Sequence, residues 1–275
     1  MKKKHFERML VYVILVIICM ISLFPFIWTA FAATHSNTQF FDLSYTFRPG
    51  GELHSNYEDL LASFPLWRNM ANSLLIALIY TAGAVLIDTM AGYAFAKLQF
   101  KGKKLIFACC LIGMFIPAQM TMIPLFIEIS NLKLVDTIWA VILPGLTSVF
   151  GVFLMRQNMQ SFPTELIESA RIDGCSEWRI FWRIVLPNMW PSVTSLSILS
   201  FVNQWGNFMW PLIALNSKEH YTMPLVISLM VQPGMFTNYG AVMVGAVLTT
   251  LPVLIFFLIF QKKFINGMLS GALKG

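Results

Sequence analysis

Six stretches of the chain are almost continuously apolar and long enough to cross a membrane as helices. A helix needs roughly 20 apolar residues to cross a hydrocarbon core of about 30 Å. The predicted spans are residues 10–33, 69–95, 104–127, 136–155, 189–215 and 239–261. The composition agrees, with 57% hydrophobic and only 12% charged residues, about half the charge of a soluble domain. The pattern therefore predicts an all-α polytopic membrane protein.

The basic residues predict the orientation of the six spans. Lys and Arg in short loops stay on the cytoplasmic side of a membrane. With the N-terminus inside, only four of the 19 basic residues fall outside, and these are Arg48, Arg68, Lys133 and Lys218. Both termini, residues 1–9 and 263–275, are therefore expected in the cytoplasm. The net charge of +6 follows from this topology, so no nucleic-acid partner is predicted.

The first apolar segment resembles a secretory signal, but it runs far past the roughly 7 to 15 residues of a signal's apolar region. The pattern favours a retained transmembrane helix over residues 10–33. The segment that follows, residues 34–67, is polar and aromatic and is predicted outside the membrane. It is too long for a simple turn. Two interpretations stay open, a surface for an extracytoplasmic partner and a cover for the ends of the spans.

A charged stretch, "ELIESARIDGCSEWRIFWRIVLP" at 165–187, separates two of the spans. Pro163 suits the first turn of a helix that ends near Asp173, and the acidic residues after it complement the positive end of that helix. Gly174 is placed where a left-handed residue ends a helix, and Ser176 where a side chain caps the next one. The stretch therefore predicts two cytoplasmic helices joined by a glycine hinge.

The first of these two helices carries a small apolar patch with a charged rim. Leu166, Ile167 and Ala170 share a face by their spacing of three and four residues. Such a helix suits docking in a groove of another protein. The alternative is a helix that rests on the lipid surface, which the carboxylates of the stretch disfavour. Docking is therefore the preferred interpretation.

The same stretch resembles the EAA loop of ABC importer permeases, whose pattern is Glu-Ala-Ala, three residues, Gly, nine residues and Ile-x-Leu-Pro. The matching residues are Glu168, Ala170, Gly174, Ile184, Leu186 and Pro187, with Ser169 in place of one Ala. The flanking "FPTELIESARIDG" narrows the resemblance to the maltose-type, carbohydrate-uptake, binding-protein-dependent permeases. "LVDTIWAVILP", "FLMRQNMQSFP", "QWGNFMWPLI" and the tail "FINGMLSGALKG" are also similar to that family. The resemblance implies a permease domain over 68–262, with the EAA loop at 160–188.

This resemblance implies the partners and the energy source. The stretch at 163–187 would be a coupling helix inserted in a cleft of a cytoplasmic ABC ATPase dimer, which would use ATP and Mg²⁺. The chain has no Gly-x-x-x-x-Gly-Lys-Ser/Thr loop, so it is predicted to be non-catalytic, without a cofactor or metal of its own. A second homologous permease and an extracytoplasmic sugar-binding protein complete the expected assembly, in the cytoplasmic membrane of a prokaryote. The implied coupling residues are Glu165, Leu166, Ile167, Glu168, Ala170, Arg171, Asp173 and Gly174.

Uncharged polar residues within the spans predict a solute pathway. Ser200, Asn203, Asn207 and Trp210 follow at intervals of three, four and three, which places them on one face of a helical fifth span. Amides satisfy hydroxyl groups and an aromatic ring covers the apolar face of a sugar, so the set suits a neutral polyol. Gln119 in the third span is a further candidate. The alternative is that these residues only bond neighbouring helices.

Asp88 is the one carboxylate placed well inside a span, where a charge is costly. We expect it to be paired or protonated near the cytoplasmic end, and proton coupling is the alternative. An intramembrane protease is excluded because Asp88 stands alone and the four histidines lie outside the spans. An ion-gradient-driven secondary transporter would work as a lone chain. The EAA-like loop favours an ATP-driven importer of a sugar or oligosaccharide, with membrane lipid around its spans.

Overall fold

A computed structural model of the 275-residue chain describes residues 2–42, 48–232 and 238–272, and it is helical almost throughout. In the first part the helices are α1 (Lys2–Ala32), α2 (Asn37–Phe40), α3 (Leu53–Ser63), α4 (Leu66–Lys97), α5 (Lys103–Gly113), α6 (Ala118–Asn131), α7 (Ile138–Ile142) and α8 (Val149–Gln160). In the second part they are α9 (Thr164–Ile172), α10 (Glu177–Ile180), α11 (Leu186–Asn188), α12 (Trp190–Trp205), α13 (Met209–Ala214), α14 (Met223–Met230) and α15 (Tyr239–Ala272). The described residues contain no strand, so the all-α prediction is confirmed.

Some predicted segments reach beyond the described residues. Residue 1 of the predicted N-terminus, residues 43–47 of the predicted outer segment and residues 273–275 of the predicted tail lie outside them.

Among the residues that the structure describes, three helices are long and apolar enough to cross a membrane without a break. They cover Arg8–Ala32, Leu66–Lys97 and Tyr239–Gln261, which are the predicted first, second and sixth spans. The predicted third and fourth spans correspond to pairs of helices bent at a short break, by 102° between α5 and α6 and by 44° between α7 and α8. A third bent pair joins Glu177–Asn188 to α12 at 81°, so it begins in the charged stretch and covers only the first part of the predicted fifth span. Six spans result if each bent pair crosses as one. The number of spans and the cytoplasmic termini therefore stay predictions.

The fifth span is not the single helix that the sequence predicts over 189–215. Helix α12 ends at Trp205, and α13 begins at Met209 after a break. Pro211 has no backbone N–H, so a continuous helix would leave the carbonyl of Asn207 without its partner four residues on. The predicted polar face of this span, which carries Asn203, Asn207 and Trp210, is therefore interrupted at Asn207.

The described chain forms two compact units, of which the first comprises residues 1–66 and 226–252. A buried amide, Asn56 of α3, organises this unit. Its Nδ2 donates to the carbonyls of Ala33 and His35, each at 2.9 Å, and its Oδ1 accepts a bond of 3.2 Å from Asn238. These bonds satisfy two carbonyls in the turn that follows α1 and hold α3 beside the start of α15. By contrast, the apolar window of α1 has no buried residue within this chain.

The second unit comprises residues 67–225 and 253–275, and its main core lies where α4, α8, α9 and the α10–α12 segment meet. Gly92 of α4 permits this packing. A Cβ atom at Gly92 would lie 2.6 Å from the Cβ of Met155 and 2.9 Å from the backbone nitrogen of Arg156, both in α8. Only glycine lets the two helices approach this closely.

Helix α4 is tied to other elements at both of its ends. At its start, Asn69 Nδ2 donates to the carbonyls of Lys218 and Tyr221, at 2.7 and 3.0 Å. At its end, Lys97 Nζ donates to the carbonyl of Phe162 at 2.6 Å and to Thr164 Oγ1 at 3.1 Å. The helix therefore links the loop after α13 to the segment that begins α9.

Candidate coupling loop and membrane cavity

The charged stretch forms the predicted pair of helices with a glycine hinge. Pro163 occupies the N-cap position of α9, which ends at Ile172. Gly174 follows with φ of 75°, in the left-handed region where only glycine is unstrained. Ser176 then caps α10, and its side chain accepts a bond from the Arg179 amide. The helix, hinge and cap predicted here are confirmed.

An ion pair across the hinge and hydrogen bonds from α4 hold the two helices in place. Arg171, in the last turn of α9, forms an ion pair with Glu177 in the first turn of α10. Tyr93 Oη donates to the other carboxylate oxygen of Glu177 at 2.8 Å. With the bonds from Lys97 at the start of α9, these contacts fix the orientation of α9 against α4. None of these three links is visible in the sequence, because each joins residues distant in the chain or across the hinge.

The predicted apolar patch on α9 is corrected by the structure. Ile167 is fully buried and Ala170 is 6% exposed, and both belong to the protein's own core. Leu166 is half exposed, and it is not part of that core. The three residues therefore do not form one outward patch, because α9 must bury one face to be held in place.

The outward face of α9 is the one that carries Glu165, Glu168 and Ile172. Ile172 is 86% exposed and was not among the predicted docking residues. Its position four residues after Glu168 places it on the charged face of the helix, and that spacing was the signal available in the sequence. Glu165, Leu166, Glu168, Arg171, Asp173 and Gly174 are all exposed as well.

A cavity of about 260 Å³ in the second unit contains three of the five predicted pathway residues. Asn203, Asn207 and Trp210 line it together with Tyr80 and Gln204. The polar side chains are amides, a phenol, an indole and the hydroxyl of Thr121, all of which form neutral hydrogen bonds. Trp210 also holds the wall in place, since its Nε1 donates to the carbonyl of Ala140 at 2.9 Å. Ser200 and Gln119 are not among the residues that line this cavity.

Asp88 is completely buried and is bound to the beginning of α8. One carboxylate oxygen accepts bonds of 3.0 Å from Thr147 Oγ1 and from the amide of Ser148, the N-cap residue of α8. Within the described chain its second oxygen has no hydrogen-bond partner, and a Cβ atom at Gly151 would overlap it. An acidic group is favourable at the positive end of a helix. The contacts thus give Asp88 a structural role at the bend between α7 and α8.

Replacing Asp88 by leucine is expected to destabilise the chain. The half-buried Ser148 amide and the exposed Thr147 hydroxyl would lose their acceptor, at a cost of about 0.5–1.5 kcal/mol for each hydrogen bond. Thermal unfolding in detergent measures the effect. Asp88→Asn keeps one acceptor oxygen in place, so its thermal midpoint should fall much less. Equal thermal midpoints for the Leu and Asn variants would contradict this structural role.

A serine, a histidine and an aspartate meet where the loop before α7 approaches the loop after α13. Ser217 Oγ donates to Asp136, and His220 Nδ1 lies 3.1 Å from Ser217 Oγ and 3.3 Å from the Asp136 carboxylate. Partial burial opposes ionisation of Asp136, but hydrogen bonds from Ser217, Asn216 and His220 prevail and lower its pKa to about 2. A catalytic triad places serine and carboxylate on different nitrogens of the histidine. Here Nδ1 of His220 faces both Ser217 and Asp136, so the cluster does not have the arrangement of a triad and instead joins two loops.

Comparisons with known proteins match nearly the whole chain. A family profile described as "Binding-protein-dependent transport system inner membrane component" matches residues 88–269. The arabinooligosaccharides transport system permease protein of Halalkalibacterium halodurans is 36% identical over 94% of this chain and 93% of its own. The lactose transport system permease protein of Rhizobium radiobacter is 35% identical over 94% of both chains.

A solved structure has the same fold. It is the crystal structure of a bacterial ABC transporter involved in the import of the acidic polysaccharide alginate, and one of its chains superposes with a TM-score of 0.80 at 20% identity. The superposition covers 96% of this chain and 98% of the other.

Proposed function

The chain belongs to the family of binding-protein-dependent transport system inner membrane components, and we propose that it is the permease subunit of an ATP-driven importer of a sugar or oligosaccharide. The resemblance drawn from the EAA loop is confirmed by this membership. The named relatives transport arabinooligosaccharides and lactose, which supports a carbohydrate as the solute. Our proposal places this multi-pass membrane protein in the cytoplasmic membrane of a prokaryote.

The observation that carries the proposal is the exposed, rigidly held helix α9. A docking helix must present side chains to a partner and must also transmit force to the spans. Glu165, Glu168 and Ile172 face outward, while Ile167 is buried in the core beneath. This combination supports the insertion of α9 in a cleft of a partner ABC ATPase. ATP and Mg²⁺ would be bound by that partner, and its closure would move α9 and the spans packed on it.

The cavity supports a neutral solute. Amide groups at Asn203, Asn207 and Gln204 offer donors and acceptors without charge, and Trp210 and Tyr80 supply aromatic surface. Hydroxyl groups bind to such amides, and the apolar face of a sugar ring packs on an aromatic ring. We therefore assign this cavity to the translocation pathway, and an extracytoplasmic binding protein would deliver the sugar to it.

The exposed surface of α1 supports a second permease as a partner. No residue in its apolar window is buried within this chain, although the window has a mean hydropathy of 2.9. Such a helix needs lipid or another protein on every side. A homologous permease would supply part of that cover and complete a pathway between the two subunits.

Purification followed by reconstitution tests the proposal. The tagged chain is isolated from its native membranes in mild detergent, and the proteins that accompany it are identified by mass spectrometry. Proteoliposomes of the preparation are then loaded with ATP, and uptake of radiolabelled arabinooligosaccharides and lactose is followed in the presence of the binding protein. We expect an ATPase and a second permease to accompany the chain, and uptake to require ATP. Uptake by the lone chain, driven by an ion gradient, would show a secondary transporter instead.

A further inference from the structure

A basic groove lies beside the coupling loop, in the second unit. Its volume is about 730 Å³, and it is lined by the end of α4, the turn that follows, the start of α5 and the last turns of α8. Lys103, Lys104 and Arg156 contribute positive charge to its wall. Among the described residues that line the groove there is no aspartate or glutamate. Three cations therefore share one concave surface.

The positive charge of this groove is not neutralised by nearby carboxylates. In the part of the chain that the structure describes, none of these three cations forms an ion pair. Lys103 and Arg156 lie close enough for their like charges to repel each other. Holding like charges together is unfavourable unless an anion joins them. The groove therefore has the electrostatic character of an anion site.

Two of the three cations, Arg156 and Lys103, are each held by a contact. The guanidinium carbon of Arg156 lies 4.2 Å from the ring centre of Phe107, in a cation–π contact. Lys103 Nζ donates to the carbonyl of Leu98 at 2.7 Å. Gln99 and Gln160 add neutral amides to the same wall. Positioned cations beside amides suit a phosphate ester that also carries hydroxyl groups.

Apolar surface adjoins the groove on one side. Leu105 is 70% exposed and Ile106 is 47% exposed, and both follow the lysines in the first turns of α5. The basic residues at this end of α4 and α5 are those that the charge distribution assigns to the cytoplasmic face of the membrane. A ligand at this position therefore has its charge on the groove and its apolar part along α5. This arrangement favours a lipid over a free phosphate ion.

We propose that the groove binds the headgroup of an anionic phospholipid of the cytoplasmic leaflet. Lys103, Lys104 and Arg156 would hold the phosphate, the glutamines would bond to the glycerol hydroxyls, and the acyl chains would lie along Leu105 and Ile106. Arg156 and Gln160 belong to the helix that leads into α9. The lipid would therefore contact the base of the coupling loop. This site is distinct from the pathway cavity, and its existence does not depend on the proposed sugar.

Lipid retention measured by native mass spectrometry tests the site. The full-length chain is equilibrated with mixed micelles of phosphatidylglycerol and phosphatidylcholine that have the same acyl chains. We expect retained phosphatidylglycerol to exceed phosphatidylcholine by at least about tenfold, and Arg156→Gln and Lys104→Gln each to lower that preference by about fivefold. Arg156→Lys should keep most of the preference. Lys104 is exposed, so its variant tests the site even if loss of the Arg156 stacking harms folding.

The matched control is Lys101→Gln, which removes a charge from the same turn but from outside the groove. An equal loss of the phosphatidylglycerol preference in the control, or no loss of it in any variant, would overturn the proposed site. A second experiment distinguishes a free phosphate ion from a lipid headgroup. Inorganic phosphate is added to the chain in phosphatidylcholine nanodiscs, and its binding is measured by ³¹P line broadening. Phosphate binding as tight as that of the lipid would overturn the assignment. If Lys104→Gln reduced recovery of the ATPase but left lipid retention unchanged, the groove would be a protein contact and the lipid proposal would fail.

Discussion

Replacing Glu168 by lysine is expected to stop ATP-driven uptake while the chain still folds and reaches the membrane. Glu168 is exposed on the outward face of α9, so its replacement removes nothing from the core. In a docked interface, a reversed charge costs about 3 kcal/mol, which corresponds to a loss of affinity on the order of 100-fold. Transport should therefore collapse because the ATPase no longer engages α9.

Three measurements separate this effect from misfolding. Initial uptake rates, recovery of the ATPase with the tagged chain, and the thermal midpoint of the purified chain are compared between variants. Glu58→Lys makes the same charge reversal on another exposed helix, α3, where the glutamate side chain is 64% exposed. It should leave ATPase recovery unchanged, and Glu168→Gln should give an intermediate loss. Normal uptake by the Glu168→Lys chain would remove α9 from the coupling mechanism.

Replacing Gly92 by valine is expected to prevent the second unit from forming its core. A Cβ atom at this position would already lie 2.6 Å from the Cβ of Met155 and 2.9 Å from the nitrogen of Arg156, and valine adds two methyl groups to it. Backbone atoms of α8 cannot rotate away as a side chain can. The cost should reach or exceed the upper end of the about 1–3 kcal/mol typical of overpacking. Because α9 is packed on this core, its position should be lost as well.

Gly113→Val provides the matched control, since a Cβ atom there would lie an ordinary 3.8 Å from Val149. Each variant is fused to a fluorescent protein and extracted from membranes in detergent. Gel filtration of the extract then measures the amount of folded chain. We expect a several-fold loss of the monodisperse peak for Gly92→Val and little change for Gly113→Val. Similar profiles for the two variants would mean that α4 and α8 do not pack this closely.

The coupling loop shows how much local signals can predict. Pro163, Gly174 and Ser176 each act within a few residues, through a fixed φ, a left-handed φ and a side-chain cap. Those effects do not depend on the rest of the fold, so the helix, hinge and cap were predictable from the sequence. The all-α class was predictable for a similar reason, because the apolar segments have few alternatives in a membrane.

Features that depend on distant partners were not predictable. Ile167 and Leu166 are neighbours with similar side chains, and only the core beneath α9 decides that the first is buried and the second exposed. Asp88 finds its hydrogen-bond donors about 60 residues away, at the start of α8. The cluster of Asp136, Ser217 and His220 joins two loops by the same kind of long-range contact. Periodicity carries no information about such pairs.

Helix α4 is an unbroken rod of 32 residues, which corresponds to a length of about 48 Å. Lys97 and Tyr93 attach one end of it to the coupling loop, and Asn69 attaches the other to the loop at residues 218–221. A rigid rod pivoting near one end displaces the other in proportion to its length, so a tilt of about 5° shifts the far end by roughly 4 Å, more than the diameter of a water molecule. The two loops bonded to the ends of α4 are thus mechanically coupled through one helix, and a small tilt at one end becomes a larger displacement at the other.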